Sequence, residues 1–348
     1  MEVVKFKSID YYMQTKRDNF LIIRILAALA VIYGHSFALT VAVGQRDFVL
    51  MYLKKTHIAH EAVSIFFVIS GFLVTGSYLN RKKFTTFMKS RILRVYPALI
   101  ICLLLTVIIL GPIVSTYSIN EYFSKTQTYT YFLKNLSLIK PDFTLPGVFN
   151  ENRLTGVNGS LWTLPAEIRM YILLGIVGFL GILYKKILFN IVLFLFIVMS
   201  IWQPDWVPLI SHNDKYFRLA GMFALGVFMY IHKNNIPLHF GILVVFFLAS
   251  WISYSSSYFL IVFSFLLAYG VLYFAYVPIV KNNEKYLMDI SYGLYIYAFP
   301  IQQLLVYYYP EIRPYPLFWT AALITTLIAI LSWKYVEEPM LKFKKTRV

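Results

Sequence analysis

The sequence is poor in most of what soluble enzymes are built from. Cys102 is the one cysteine among 348 residues and stands in an apolar run, which excludes a disulfide framework and a cysteine-based metal site. Charged residues make up 14% of the chain, about half the share of a soluble domain. No phosphate-cradling glycine loop, zinc motif or serine-nucleophile elbow is visible, so no metal is expected. No internal repeat and no Pro/Gly-rich linker divides the chain, and a single domain over residues 1–348 is expected. A cleavable leader is not expected either. The stretch up to Asn19 is polar, and the apolar run after it holds Arg24 and lacks a small-residue cleavage site.

What the chain has is apolar length. Hydrophobic residues are 59% of it and aromatics 18%. Runs of about 17–22 apolar residues recur throughout, the length needed to cross a bilayer as helix. The expected fold is all-α and polytopic, with about ten spans near 20–39, 59–78, 96–114, 161–183, 187–202, 217–232, 237–254, 258–277, 289–309 and 316–335. Basic residues cluster on alternate connections. These carry Lys5, Lys7, Lys16 and Arg17, then Arg81, Lys82, Lys83, Lys89, Arg91 and Arg94, then Lys185, Lys186, Lys233, Lys281 and Lys285, and the tail from Lys342 to Arg347. That bias places both termini in the cytoplasm and accounts for most of the net charge of +16, so nucleic acid is not an expected partner. Two connections stand out. The segment NRKKFTTFMKSRILRVYP is short and basic. The segment from about 115 to 160 is external, too long for a connector, and expected to pack back as a lid or binding surface.

A few polar groups stand inside this apolar background. Arg24 and His35 are eleven residues apart, close to three helical turns, so they share one stripe about 16 Å apart along the axis. Ionisable groups within a span are costly and usually face a bundle interior or a wet cavity. Snorkelling of Arg24 and simple packing of His35 are the bland alternatives. Glu167, in GSLWTLPAEIRMY, lies about six residues below the outer end of its span, at a depth similar to His35. It is expected either to orient the imidazole or to pair with Arg169. His60 and Glu61 open the second span and read as interfacial. Arg91 and Arg94 share a helical face, and an arginine pair suits bidentate binding of phosphate oxygens or anchoring to anionic lipid. The tyrosines of SYGLYIYAFPIQQ either line a polar cavity or pack. A histidine and a carboxylate at one depth, with arginines at the cytoplasmic side, suit a two-sided enzyme better than a channel.

These segments, taken in order, resemble the acyltransferase-3 family of integral-membrane acyltransferases. The likeness runs through Arg24 and His35 at R-x10-H spacing, SIFFVISGFLVT, RILRVYPAL, GSLWTLPAEIRMY, SYGLYIYAFPIQQ and YVEEPM, nearly the whole chain. The resemblance implies a ten-helix enzyme of a bacterial inner membrane. Such an enzyme takes an acyl group, usually acetyl, from cytoplasmic acyl-CoA and places it on hydroxyls of O-antigen, capsule or other surface or lipid-linked glycans. It maps the family's essential Arg and His onto Arg24 and His35, its cytoplasmic Arg pair onto Arg91 and Arg94, and its acidic residue onto Glu167. Two departures are expected. Ala298 stands where many members carry a second histidine, and the additional esterase-like domain of some members is not expected here. The expected mechanism holds the CoA phosphates against Arg91, Arg94 and Arg24 and uses His35 as general base or transient acyl carrier. Acetyl-CoA is the expected donor, and acyl-CoA, glycan and membrane lipid are the partners, with a homo-oligomer left open. Succinyl transfer stays open, as does a transporter of a polysaccharide or acylated intermediate.

Overall fold

A computed structural model describes residues 6–15, 17–40, 45–202, 214–277 and 288–343. Among these residues there is no strand, and two isolated bridges, Ser8 with Pro237 and Ser115 with Val148, are the only β pairing. The principal helices are α1 Phe20–Leu39, α2 Ile58–Arg81, α3 Phe84–Leu104, α4 Thr126–Ser137, α5 Leu164–Phe179 and α6 Lys186–Trp202. They continue with α7 Asp214–Ile231, α8 Phe240–Ile252, α9 Phe259–Tyr276, α10 Ser291–Tyr308 and α11 Pro314–Ser332. Every apolar segment of the sequence carries a helix. Six helical stretches are long and apolar enough to cross a membrane: Phe20–Leu39, Ile58–Arg81, Phe84–Val114, Gly159–Phe179, Phe259–Tyr276 and Pro314–Lys342. Helices α6 and α8 are shorter in their apolar part, and α7 and α10 carry more polar residues. The protein is therefore a multi-pass membrane protein.

The chain forms two compact units. The first comprises Met1–Arg24, Val63–Phe87 and Arg169–Leu287. Glycines let two of its helices meet backbone to backbone. A Cβ on Gly71 of α2 would stand 2.1 Å from the Phe223 carbonyl oxygen, and one on Gly226 of α7 would stand 2.2 Å from that of Val68. In a bilayer, helices gain little from hydrophobicity and pack through small residues that let backbones meet. Gly71→Ala is therefore expected to push α2 off α7 and to cost about 1–3 kcal/mol, the range for overpacking. Thermal unfolding of the detergent-solubilised variant checks this, and an unchanged Tm would contradict the contact. At one end of this unit the chain entry pairs with the α7–α8 connection. Ile9 N–H donates to Ile236, Leu238 N–H donates to Lys7, and Lys233 Nζ lies 2.8 Å from Asp10. The Lys233 ammonium holds the Asp10 carboxyl below its usual range. Charge bias assigns these two segments to one side of the membrane, and in the structure they touch.

The second unit comprises Ile25–Ala62, Met88–Ile168 and Met288–Val348. Helix α10 is its centre and is buried nearly all round. Its hydroxyls and amides serve as fasteners. Tyr292 donates to the Val95 carbonyl at 2.9 Å, Tyr295 donates to that of Ser160 at 3.0 Å, and Tyr297 donates to that of Ala98 at 3.3 Å. The tyrosines of SYGLYIYAFPIQQ thus pack and bond between helices, which decides between the two sequence readings.

The long connection folds back. Its chain forms a capped helix, Ile119–Ser124, and then α4. Tyr122 donates to the Val107 carbonyl at 3.1 Å, inside a π-helical turn, Leu105–Leu110, that extends α3. Burial raises the Tyr122 and Tyr131 hydroxyls well above the usual tyrosine range, so both stay protonated. Further along, Asn152 donates to Gln303 at 2.9 Å and Arg153 donates to the Thr40 carbonyl at 2.6 Å, which ties the connection to the ends of α10 and α1.

Candidate active site

His35 lies on α1 in the second unit. Its ring meets Phe299 of α10 edge-on, with centroids 5.0 Å apart and planes at 80°. Its Nδ1 is buried and has no hydrogen-bond partner. The close approach that shapes this end of α1 depends on the preceding residue: a Cβ on Gly34 would stand 2.8 Å from that of Ala59 on α2. This brings the start of α2 against α1. His57 and His60, one turn apart there, stack at 5.5 Å. Sequence reasoning passed over His57, although the H-x-x-H spacing at a helix start was a usable signal. Glu61 departs from expectation. It is 6% exposed and accepts a hydrogen bond from Thr56, so it is a buried acceptor rather than a solvent-facing side chain.

The start of the GSLWTLPAE segment also stands against Phe299. A Cβ on Gly159 would meet the Phe299 ring at 2.7 Å. Next to it, Ser160 is 1% exposed and its Oγ is buried with no partner. Tyr295 links this turn to α10 by bonding to Ser160 and to Thr163 Oγ1, the latter at 2.6 Å. Glu167 is within electrostatic reach of Tyr292 and Tyr295, which lie one to two turns before Phe299 on α10. His35 makes no hydrogen bond or ion pair with it. The carboxylate and imidazole expected to meet make no direct polar contact.

Arg94 occupies a site of its own within the second unit. Its two terminal nitrogens lie 2.8 Å from Asp289 Oδ2 and 3.2 Å from Glu337 Oε2. Its guanidinium also lies 5.8 Å from the Tyr292 ring and 5.7 Å from the Trp333 ring. Glu337 is 1% exposed and takes a further hydrogen bond from Ser332 at 3.1 Å. A π-helical turn, Trp333–Glu337, carries this carboxylate. Ser291 donates to Asp289 at 2.7 Å. The YVEEPM motif, to which the sequence alone gives no role, supplies the acid that braces Arg94. Arg91, one turn earlier on α3, is half-buried and donates to Ser90 at 3.2 Å. Arg24 lies in the first unit, half-buried near the start of α1. Among the described residues no group of three or more His, Cys, Asp or Glu side chains is placed to hold a metal ion.

The family profile described as an acyltransferase domain matches residues 18–333. The chain belongs to the acyltransferase-3 family. This acyltransferase is 31% identical over 342 residues to a protein of Shigella phage Sf6 named O-acetyl transferase, covering 91% of this chain and 94% of the relative. It is 24% identical over 366 residues to nodulation protein 10 of Rhizobium leguminosarum bv. viciae, covering 95% of each. No solved structure matches it significantly. The match takes in α1 with His35, Arg91 and Arg94 on α3, Glu167 on α5, and α10, so the catalytic candidates all fall inside the acyltransferase domain.

Proposed function

We propose that this acyltransferase moves an acetyl group from cytoplasmic acetyl-CoA to a hydroxyl of a surface or lipid-linked carbohydrate, such as O-antigen or capsule. The observation that carries the reading is a buried imidazole nitrogen without a partner, on His35, inside a helix apolar enough to span the membrane. Buried polar atoms are normally paired, and an exception calls for an explanation. The O-acetyl transferase relative supports oxygen as the acceptor atom and acetyl as the group. In the proposed reaction His35 removes the proton of the acceptor hydroxyl while its oxygen attacks the thioester carbonyl carbon. The C–O bond forms, the C–S bond breaks, and the proton passes from the imidazolium to the departing thiolate.

The donor phosphates are assigned to Arg91 and Arg94. Two carboxylates hold Arg94 in place, so it is assigned the part of a fixed cation beside the phosphates, with Arg91 sharing the contact. Glu167 is assigned a positioning role through Tyr295 and the Ser160 turn. The enzyme is placed in a bacterial cytoplasmic membrane with about ten spans and both termini inside, in keeping with the basic connections.

Glycan mass spectrometry of cells with and without the gene tests the reading. One acetyl per modified sugar should be present with the gene and absent without it. A succinyl mass would change the donor, and identical glycans would overturn the proposal.

A further inference from the structure

Gln302 stands one turn beyond Phe299 on α10 and is fully buried. Its side-chain nitrogen donates to the Ile32 carbonyl and to Ser36 Oγ, each at 2.8 Å. Those two residues bracket His35 on α1. The chemistry of these partners fixes which way the amide faces. The Ile32 carbonyl can only accept. Ser36 spends its own hydroxyl proton on that same carbonyl, at 2.9 Å, so its oxygen also accepts from Gln302. Both amide protons are thereby used, and the other end of the amide is necessarily oxygen. That oxygen, Oε1, is buried and has no donor.

Three buried, unpartnered polar atoms thus belong to residues on or next to those that contact Phe299 or share its helix. His35 Nδ1 belongs to the residue that touches Phe299. Ser160 Oγ follows the glycine that abuts it, and Gln302 Oε1 lies one turn along the same helix. A buried carbonyl oxygen left without a donor is costly, and a ligand bearing O–H groups relieves that cost. We infer that Gln302 Oε1 is a specificity-determining acceptor for a second hydroxyl of the acceptor sugar, adjacent to the hydroxyl whose proton His35 removes. The inference rests on the carbohydrate-acylation reading and adds the residue that selects a diol. A sugar is suited to this arrangement because its neighbouring hydroxyls stand side by side, one reacting and one donating to the amide. Water has no second hydroxyl to offer and is disfavoured as an acceptor.

The test uses purified full-length protein, acetyl-CoA, and the alkali-deacetylated surface polysaccharide of cells that carry the gene. Acetyl transfer to the polysaccharide and hydrolysis of acetyl-CoA by water are measured in the same preparation. Their ratio does not depend on how much of a variant folds. Gln302→Met keeps the chain length and removes the acceptor oxygen. It should lower the transfer-to-hydrolysis ratio at least tenfold and raise KM for the polysaccharide. Gln302→Glu keeps an acceptor oxygen but loses the amide protons. It should lower Tm while holding the ratio within a few-fold of wild type. Ser36→Ala loosens the same brace without touching Oε1, and should likewise lower Tm and leave the ratio unchanged. Equal losses of transfer and hydrolysis in Gln302→Met would reduce Gln302 to a brace between α1 and α10 and overturn the inference. Should wild-type protein hydrolyse acetyl-CoA but fail to acetylate the polysaccharide, the carbohydrate reading falls first and takes this inference with it. A Gln302→Met variant that fails alone leaves that reading intact.

Discussion

Arg94→Ala is expected to lower stability by about 3–5 kcal/mol, the cost of stripping one partner from a buried ion pair. The cost arises mainly at Glu337, whose side chain is 2% exposed, against 15% for Arg94 and 21% for Asp289. Without Arg94, one Glu337 oxygen keeps its bond from Ser332 while the other loses the guanidinium that balanced its charge. Arg94→Ala combined with Glu337→Gln should therefore be more stable than Arg94→Ala alone, because the second change removes the stranded charge. Arg91→Ala should behave differently. It leaves the pairs of Arg94 with Glu337 and Asp289 in place, so the loss of Tm should be smaller and acetyl-CoA binding should weaken. Thermal unfolding and calorimetric titration with acetyl-CoA, run on the same purified variants, separate the two residues. If Arg94→Ala kept its Tm and lost acetyl-CoA affinity, Arg94 would be the phosphate ligand and its two carboxylates incidental.

His35→Ala is expected to reduce acyl transfer by about 10²–10⁴-fold, the range for losing a positioned general base. The protein should remain inserted and folded. No hydrogen-bonding partner is stranded at Nδ1, which has none, and the aromatic contact removed is the edge-on one with Phe299. Helix α1 should stay in place through Gln302, which grips it at Ile32 and Ser36 on either side of the substituted position. His35→Gln, which restores some bulk and no base of comparable strength, should be as inactive as the alanine variant. Quantifying membrane-embedded protein alongside glycan acetylation checks both halves of the expectation. Full acetylation by either variant, at equal amounts of inserted protein, would remove His35 from the chemistry.

Much of this protein follows from one-dimensional pattern. Apolar length dictates helices, because in hydrocarbon a backbone must satisfy its own polar groups. Each apolar run of the sequence does carry a helix. The stripe shared by Arg24 and His35 is likewise local, since three helical turns bring the eleventh residue back to the same face. What the sequence by itself could not settle is which distant residues complete each site. Arg94 meets Glu337 across 243 residues of chain, and Gln302 meets Ser36 across 266. No periodicity encodes such pairs, because they depend on how helices are placed against one another. The π-helical turn at Trp333–Glu337 is a further case, for it shifts the helical register that a regular α-helix would assign to the YVEEPM carboxylates. The same reason accounts for the positions where sequence and structure differ. Glu61 looks interfacial by its depth, yet it is buried and bonded by Thr56. Glu167 matches His35 in sequence depth, yet the two make no direct polar contact, because depth fixes one coordinate and the rotation and neighbours of a helix fix the others.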